Sequence, residues 1–210
     1  MAPSLHAHPE RNTIRLQLRQ NILLADLEES IHAELEGLLV VDDRHRGEFL
    51  LQQGDRELRQ YFVLDGVLKR IVASTEGREL TLRFAAERDM ETCYEAWRLG
   101  TPSPYSVVCV TKARVASLSM KEWSDFLARH PRALHVFEDC VMRTTSAMMG
   151  HTITLHLLDA PGRVHDFSYK HPQLTSRLPQ KELASHLNLS AETLCRLVRR
   201  PKSCAAPALL

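Results

Sequence analysis

The chain has 210 residues, with 27 Lys and Arg against 26 Asp and Glu, giving a formal net charge of +1 at neutral pH. That length suits one or two domains with a packed core, and the charge balance excludes a uniformly basic or acidic chain while leaving room for a basic patch on one element. No segment reaches the run of about 18 apolar residues that would mark a membrane span, and the N-terminus, with His6, His8, Glu10 and Arg11, lacks the apolar core of a signal peptide. The expectation is therefore a cytoplasmic protein with no membrane partner. Cys93, Cys109, Cys140, Cys195 and Cys204 are odd in number and form no Cys-x-x-Cys pair. Buried or idle thiols are expected, rather than a disulfide framework or a structural zinc site.

After a polar N-terminal tail, Ile22, Leu23, Leu27, Ile31, Leu35 and Leu38 recur at helical spacing and predict a helix over 22–39. From Gly47 to Ser119 the pattern becomes short apolar runs separated by turn residues. Phe49-Leu50-Leu51 precedes Gly54-Asp55, Tyr61 to Leu64 precedes Asp65-Gly66, and Val67 to Val72 precedes Glu76-Gly77; Leu80–Phe84, Ser106–Val110 and Ala113–Leu118 continue the series. Asp65-Gly66 reads as a hairpin turn, since Gly accepts the positive φ of a two-residue primed turn. Many short strands at this spacing predict a small antiparallel barrel or jelly roll. A metalloenzyme barrel of the cupin kind is disfavoured, because no His occurs from Arg46 through Arg129.

A helix over Met120–Ala128 closes at His130-Pro131, and a long helix follows over 132–158. Steps of three and four from Leu134 give Phe137, Val141, Thr144, Met148, His151, Leu155 and Leu158, all apolar except Thr144 and His151. Such a helix spans about 40 Å, longer than a small barrel needs, so these residues are expected to form the seam of a parallel coiled coil between two subunits. The alternative is a helix laid along its own barrel.

Residues 178–200 encode two short helices. The first starts at Pro179 and carries Leu183, Ala184 and Leu187 on one face; Asn188-Leu189 makes a turn, and Ser190 is a good N-cap for a second helix from Ala191 to about Arg200. Leu194 and Leu197 face inward, leaving Ala191, Glu192, Cys195, Arg196 and Arg199 outward, a mixture suited to base edges and phosphates. The alternative is an ordinary helical hairpin with a solvated charged face. No Ser-His-Asp or Cys-His spacing reads as catalytic, so a non-enzyme is expected.

The order of barrel, long helix and helix-turn-helix resembles the cyclic-AMP receptor protein and fumarate-nitrate regulator (Crp/Fnr) superfamily over residues 45–200. The most specific pieces are Leu50-Leu51-Gln52-Gln53-Gly54-Asp55, Tyr61-Phe62-Val63-Leu64-Asp65-Gly66, Gly77-Arg78-Glu79 and Ser190-Ala191-Glu192-Thr193-Leu194-Cys195-Arg196-Leu197. The resemblance implies an α+β chain. An N-terminal helix and a cyclic-nucleotide-binding-type β-roll sensor would occupy residues 1–131, a dimerisation helix 132–158, and a helix-turn-helix DNA-binding domain 159–210. It also implies a homodimer that binds a palindromic operator in double-stranded DNA, under control of a small-molecule effector, with RNA polymerase as a further candidate partner. One departure stands out. In the family a β-hairpin wing follows the recognition helix, whereas here Pro201 interrupts the pattern and residues 202–210 have no wing-like composition.

In nucleotide-binding relatives a Gly-Glu pair holds the ribose and an Arg followed by a small residue holds the phosphate. Here Cys93 falls at the Glu position and Tyr105, followed by Ser106, at the Arg position, while Met148-Met149 replaces the hydroxyl pair on the long helix. Losing charge-assisted hydrogen bonds worth roughly 1.5–3 kcal/mol each makes cyclic AMP a poor effector. The expected pocket of Met90, Cys93, Tyr94, Trp97, Tyr105, Ser106, Met148 and Met149 suits an apolar or flat ligand, or none. No cofactor is predicted. Residues 1–92 lack the Cys ligands of an iron–sulfur version, and the 11 His residues offer haem ligands too freely to be diagnostic. For DNA, the resemblance places Glu192 and Arg196 as base readers of a TGA-type half-site, Ala191 and Cys195 beside them, Ser190 at the helix start, and Gln180, Arg199 and Arg200 on phosphates.

Overall fold

The computed structural model describes residues 4–25, 27–77 and 79–199, the side chain of Arg199 excepted. Arg78, Arg200 and the tail from Pro201, on which the expectation of a missing wing rests, lie outside the described residues.

Helix α1 (Arg11–Arg19) buries Ile14 and Leu18. It lies within the stretch expected to be a polar tail, because two apolar residues one turn apart are too weak a pattern to announce a helix. The single helix expected over 22–39 is shorter: α2 runs Glu29–Leu38. Asn21 accounts for the difference. Its carbonyl oxygen accepts from Leu23 N at 3.0 Å and its amide donates to Asp89 O at 3.0 Å, fixing a turn that ends the helical path.

Among the described residues eight strands follow: β1 (Val40–Arg44), β2 (Phe49–Leu51), β3 (Arg59–Asp65), β4 (Leu68–Ala73), β5 (Glu79–Ala85), β6 (Met90–Glu91), β7 (Ser106–Cys109) and β8 (Ala113–Ser119). They form two four-stranded antiparallel sheets, ordered β1-β8-β3-β6 and β2-β7-β4-β5. Between β6 and β7 lies the short helix α3 (Tyr94–Leu99). Only β4 and β5 pair as consecutive strands, turning at Gly77 with φ +79°. The hairpin expected at Asp65-Gly66 is not one: β3 and β4 belong to different sheets, and the dipeptide carries the chain from one to the other. Gly66 is still required there, at φ +90°, because a Cβ would lie 2.3 Å from the Lys112 carbonyl oxygen and 2.8 Å from Ala113 Cα. Gly66→Ala should therefore cost at least about 2 kcal/mol in urea unfolding. An unchanged midpoint would show that the crossing tolerates a side chain.

Helix α4 (Met120–Arg129) opens on a capping box in which Ser119 accepts from Glu122 N and the Glu122 carboxylate accepts from Ser119 N. Helix α5 (Pro131–Leu157) starts with proline in its first turn, where a missing N–H costs nothing. Phe62, Trp123 and Phe137 meet edge-to-face, with centroids 5.7 and 5.4 Å apart, and lock β3, α4 and the start of α5 into one core. Among the described residues no helix is long and apolar enough to cross a membrane.

Asp159 caps α6 (Ala160–Lys170) by accepting from Gly162 N at 2.9 Å. Next come α7 (Pro172–Thr175), α8 (Gln180–His186) and α9 (Ala191–Arg199). Leu183, Ala184, Leu187 and Leu194 are all buried in a second, smaller core. That core also takes Val67, Phe84 and Val110 from the strand region, so the C-terminal helices are seated on the sheet that contains β5.

Candidate effector site and nucleic-acid surface

Strand register brings two cations face to face inside the strand region. Arg70 on β4 pairs directly with Arg83 on β5, and like charges in that position repel unless an anion intervenes. Glu91 on β6 is that anion. Its carboxylate lies 2.8 Å from Arg70 Nη2 and 2.8 Å from Arg83 Nη1, with Arg70 only 5% exposed and Glu91 1%. Arg70 also donates to Thr92 O at 3.1 Å and sits 4.0 Å over the Tyr105 ring. The Tyr105 hydroxyl donates to the same Thr92 carbonyl at 2.6 Å. Burial alone would lower the Arg70 pKa, but the adjacent Glu91 carboxylate more than offsets it and the guanidinium is held charged. Burial pushes the Tyr105 hydroxyl and the Cys93 thiol up, so both stay protonated.

The expected pocket residues fall around this network. Met90, Cys93, Tyr105 and Ser106 are buried, Tyr94 and Trp97 are half-buried on α3, and Met148 puts its sulfur 3.9 Å from Arg70 Nη1. Met149 does not join them: it is 61% exposed on the other side of α5. The sequence reading missed Arg70, Arg83 and Glu91. The available signal was a charged residue inside the runs Val67–Val72 and Leu80–Phe84, although Glu91 lies in no such run and meets them from the other sheet.

Of the heptad expected at a subunit seam, Leu134, Phe137, Val141, Met148 and His151 meet the protomer's own interior. Phe137 is fully buried against Tyr94 and Trp123, Leu134 and Val141 pack on the main core, Met148 meets Arg70, and His151 meets His186 on α8. Thr144, Leu155 and Leu158 are half-buried. The side of α5 turned to solvent instead carries Met142, Met149, Ile153 and Leu157, each between 48% and 68% exposed. Steps of seven, four and four residues keep these four within one stripe of a helix. The helix thus has two apolar stripes, and the heptad selected the inner one.

Helices α8 and α9 are joined through Asn188, whose φ of +52° suits the side chain that best tolerates the left-handed region. Ser190 Oγ accepts from Thr193 N at 3.1 Å and so caps α9. Ala191, Glu192 and Arg196 are exposed, Cys195 is half-buried, and Gln180 is exposed at the start of α8. Glu192 and Arg196 lie one turn apart and share a face. The opposite side of α8 grips the strands: Glu182 pairs with Lys69 at 2.6 Å, Ser185 Oγ lies 3.2 Å from Thr81 Oγ1, and His186 Nδ1 donates to Thr81 O at 3.1 Å. Arg177 and Glu87 form a two-pronged ion pair at 2.6 Å. Arg163 on α6 donates to Leu158 O at 2.9 Å and to Leu187 O at 3.2 Å.

Residues 43–130 match the family model of the cyclic nucleotide-binding domain. Comparison with curated proteins found no match in sequence. Among solved structures, the chain is similar to CLP, the c-di-GMP responsive global regulator of Xanthomonas campestris, at TM-score 0.68 and 18% identity, covering 82% of this chain and 90% of that one. A transcriptional regulator described as of the Crp/Fnr family, from Eubacterium rectale, aligns at TM-score 0.68 and 15% identity over 86% of both chains. FixK2 from Bradyrhizobium japonicum aligns at TM-score 0.66 and 13% identity, covering 76% of this chain and 82% of that one. Residues 43–130 thus match a cyclic nucleotide-binding domain, and the chain shares the fold of these solved regulators.

Proposed function

We propose that this chain is a non-enzymatic, homodimeric transcription regulator of the Crp/Fnr type that reads a palindromic operator through α9. The observation that carries the reading is the capped helix itself: Leu194 anchors it inward while Glu192 and Arg196 stand exposed on one outer face. Arg196 can donate two hydrogen bonds to guanine O6 and N7, and Glu192 can accept from cytosine N4, which supports a half-site of TGA type. Two copies joined along the outer stripe of α5 would present two such helices to a two-fold symmetric site. RNA polymerase as a further partner rests on the family alone.

On this reading cyclic AMP is a poor effector. Its phosphate would need a free buried cation, and Arg70 is already neutralised by Glu91 and covered by Tyr105. Displacing that pairing would leave a carboxylate facing the incoming anion.

Fluorescence anisotropy with a TGA-containing palindromic duplex and a scrambled one, at several salt concentrations, tests the reading. Tighter binding to the palindrome, with log affinity falling linearly against log salt, is the expected outcome. Equal weak binding to both duplexes would favour a sensor and dimerisation protein that does not read DNA. On the preferred duplex, Arg196→Ala should cost about 1–3 kcal/mol and relax the preference at one base pair. Unchanged affinity and selectivity would remove Arg196 from the reading face.

A further inference from the structure

The contact between α8 and the strands contains a pair of histidines that no role described so far employs. The rings of His151 on α5 and His186 on α8 stack face to face, with centroids 3.8 Å apart and planes 3° from parallel. Each ring donates to a carbonyl: His186 Nδ1 to Thr81 O at 3.1 Å, and His151 Nε2 to the backbone oxygen of His186 at 3.0 Å. A carbonyl can only accept, so these bonds fix which nitrogen of each ring carries a proton, and any further proton must enter on the remaining nitrogen of either ring. Phe84 and Phe167 close on His186 edge-on at 5.1 and 5.4 Å, and a cleft of about 700 Å³ opens beside the stack, giving solvent a route to it.

We propose that this stacked pair is a proton-released fastener, which holds α8 on β5 while both rings are neutral and lets it go when either is protonated. A stacked imidazolium would meet its neighbour's ring at contact distance, in a site that provides no spare anion among the described residues. Every nearby carboxylate is engaged: Asp166 on α6 by Lys170, Glu182 on α8 by Lys69, Asp89 and Glu91 by Arg83, and Glu87 by Arg177. The remaining ionisable groups facing the cleft, Arg143 on α5, Arg88 before β6 and His171 after α6, add only positive charge or none.

Burial holds His186 down to about 3 and lowers His151 as well, against an ordinary value of 6.5. A histidine whose pKa is depressed in the docked state leaves docking at full strength above its free value. Docking then weakens as pH falls below about 6.5, tenfold per pH unit for one histidine and a hundredfold for two. Acidification to about pH 5.5 should therefore weaken the docking of α8 ten- to a hundredfold while the strand region stays folded.

Hydrogen exchange of the full chain at pH 7.5 and 5.5, corrected for the intrinsic rate, tests this without reference to DNA. The β5 and α8 amides should lose at least tenfold in protection at the lower pH while β3 and β8 keep theirs. The non-titrating pair His151→Phe with His186→Gln should hold protection constant. Unchanged protection in the natural chain, or an equal loss in the double variant, overturns the proposal. If the double variant is already detached at pH 7.5, NMR titration of the natural chain decides. Ring midpoints below 6.5 that coincide with detachment uphold the fastener, and midpoints at or above 6.5 overturn it.

Discussion

Glu91→Gln is expected to destabilise the folded chain by about 3–5 kcal/mol, the range seen when one member of a buried ion pair is removed. The substitution keeps the shape of the side chain but leaves Arg70 and Arg83 paired across β4 and β5 with no carboxylate between them. Since whole domains are stable by only about 5–15 kcal/mol, a loss of that size would show as a large fall in the urea midpoint. Adding Arg70→Met to Glu91→Gln should recover much of the loss, because an apolar replacement removes the uncompensated charge and fills similar space. A drop below about 1 kcal/mol in the single variant would mean that water reaches the pair and that the network does not seal the strand interior.

The second large effect concerns assembly. Met149→Glu with Ile153→Glu places two charges on the outer stripe of α5, where the proposed dimer would bury them. At about 3–5 kcal/mol for each unpaired buried charge, the dimer should weaken by a hundredfold or more, and sedimentation should report monomers at micromolar concentration. Both residues are more than 45% exposed in the protomer, so the variant should unfold at the same urea concentration when compared monomer with monomer. Phe137→Ala is the contrasting change. It empties a fully buried site beside Tyr94 and Trp123 and should cost about 3–5 kcal/mol of protomer stability. A dimer unaffected by the two glutamates would move the contact off this stripe.

What could be read from sequence follows how local each feature is. The α8–α9 pair was legible because Pro179, Asn188, Ser190 and the apolar residues Leu183, Ala184, Leu187 and Leu194 act within a dozen or so positions of one another. Their burial follows from helical period alone. Six strands were legible from short apolar runs between turn residues, although β1, β6 and the pairing were not. Asp65-Gly66 looks the same whether it closes a hairpin or hands the chain to another sheet, and only the approach of Lys112 and Ala113 decides. On α5, periodicity found one apolar stripe and had no means of telling which side the strands would cover. The ion pair of Arg70, Arg83 and Glu91 was hidden for the same reason, since it joins β4 and β5 of one sheet to β6 of the other. The seat of α8 on β5 was equally out of reach, because Thr81 and His186 are brought together by the fold and by nothing near either of them in the chain.

Arg163 has a mechanical consequence. One planar side chain spans the end of the long helix, at Leu158 O, and the end of α8, at Leu187 O. In the proposed dimer, twist introduced along α5 would reach the turn before α9 as torque through a rigid five-donor fork, with little slack to absorb it. A lysine at this position would have a single point of attachment and could grip one carbonyl at a time. The two ends would then pivot separately, and the bearing of the reading face would no longer follow the long helix.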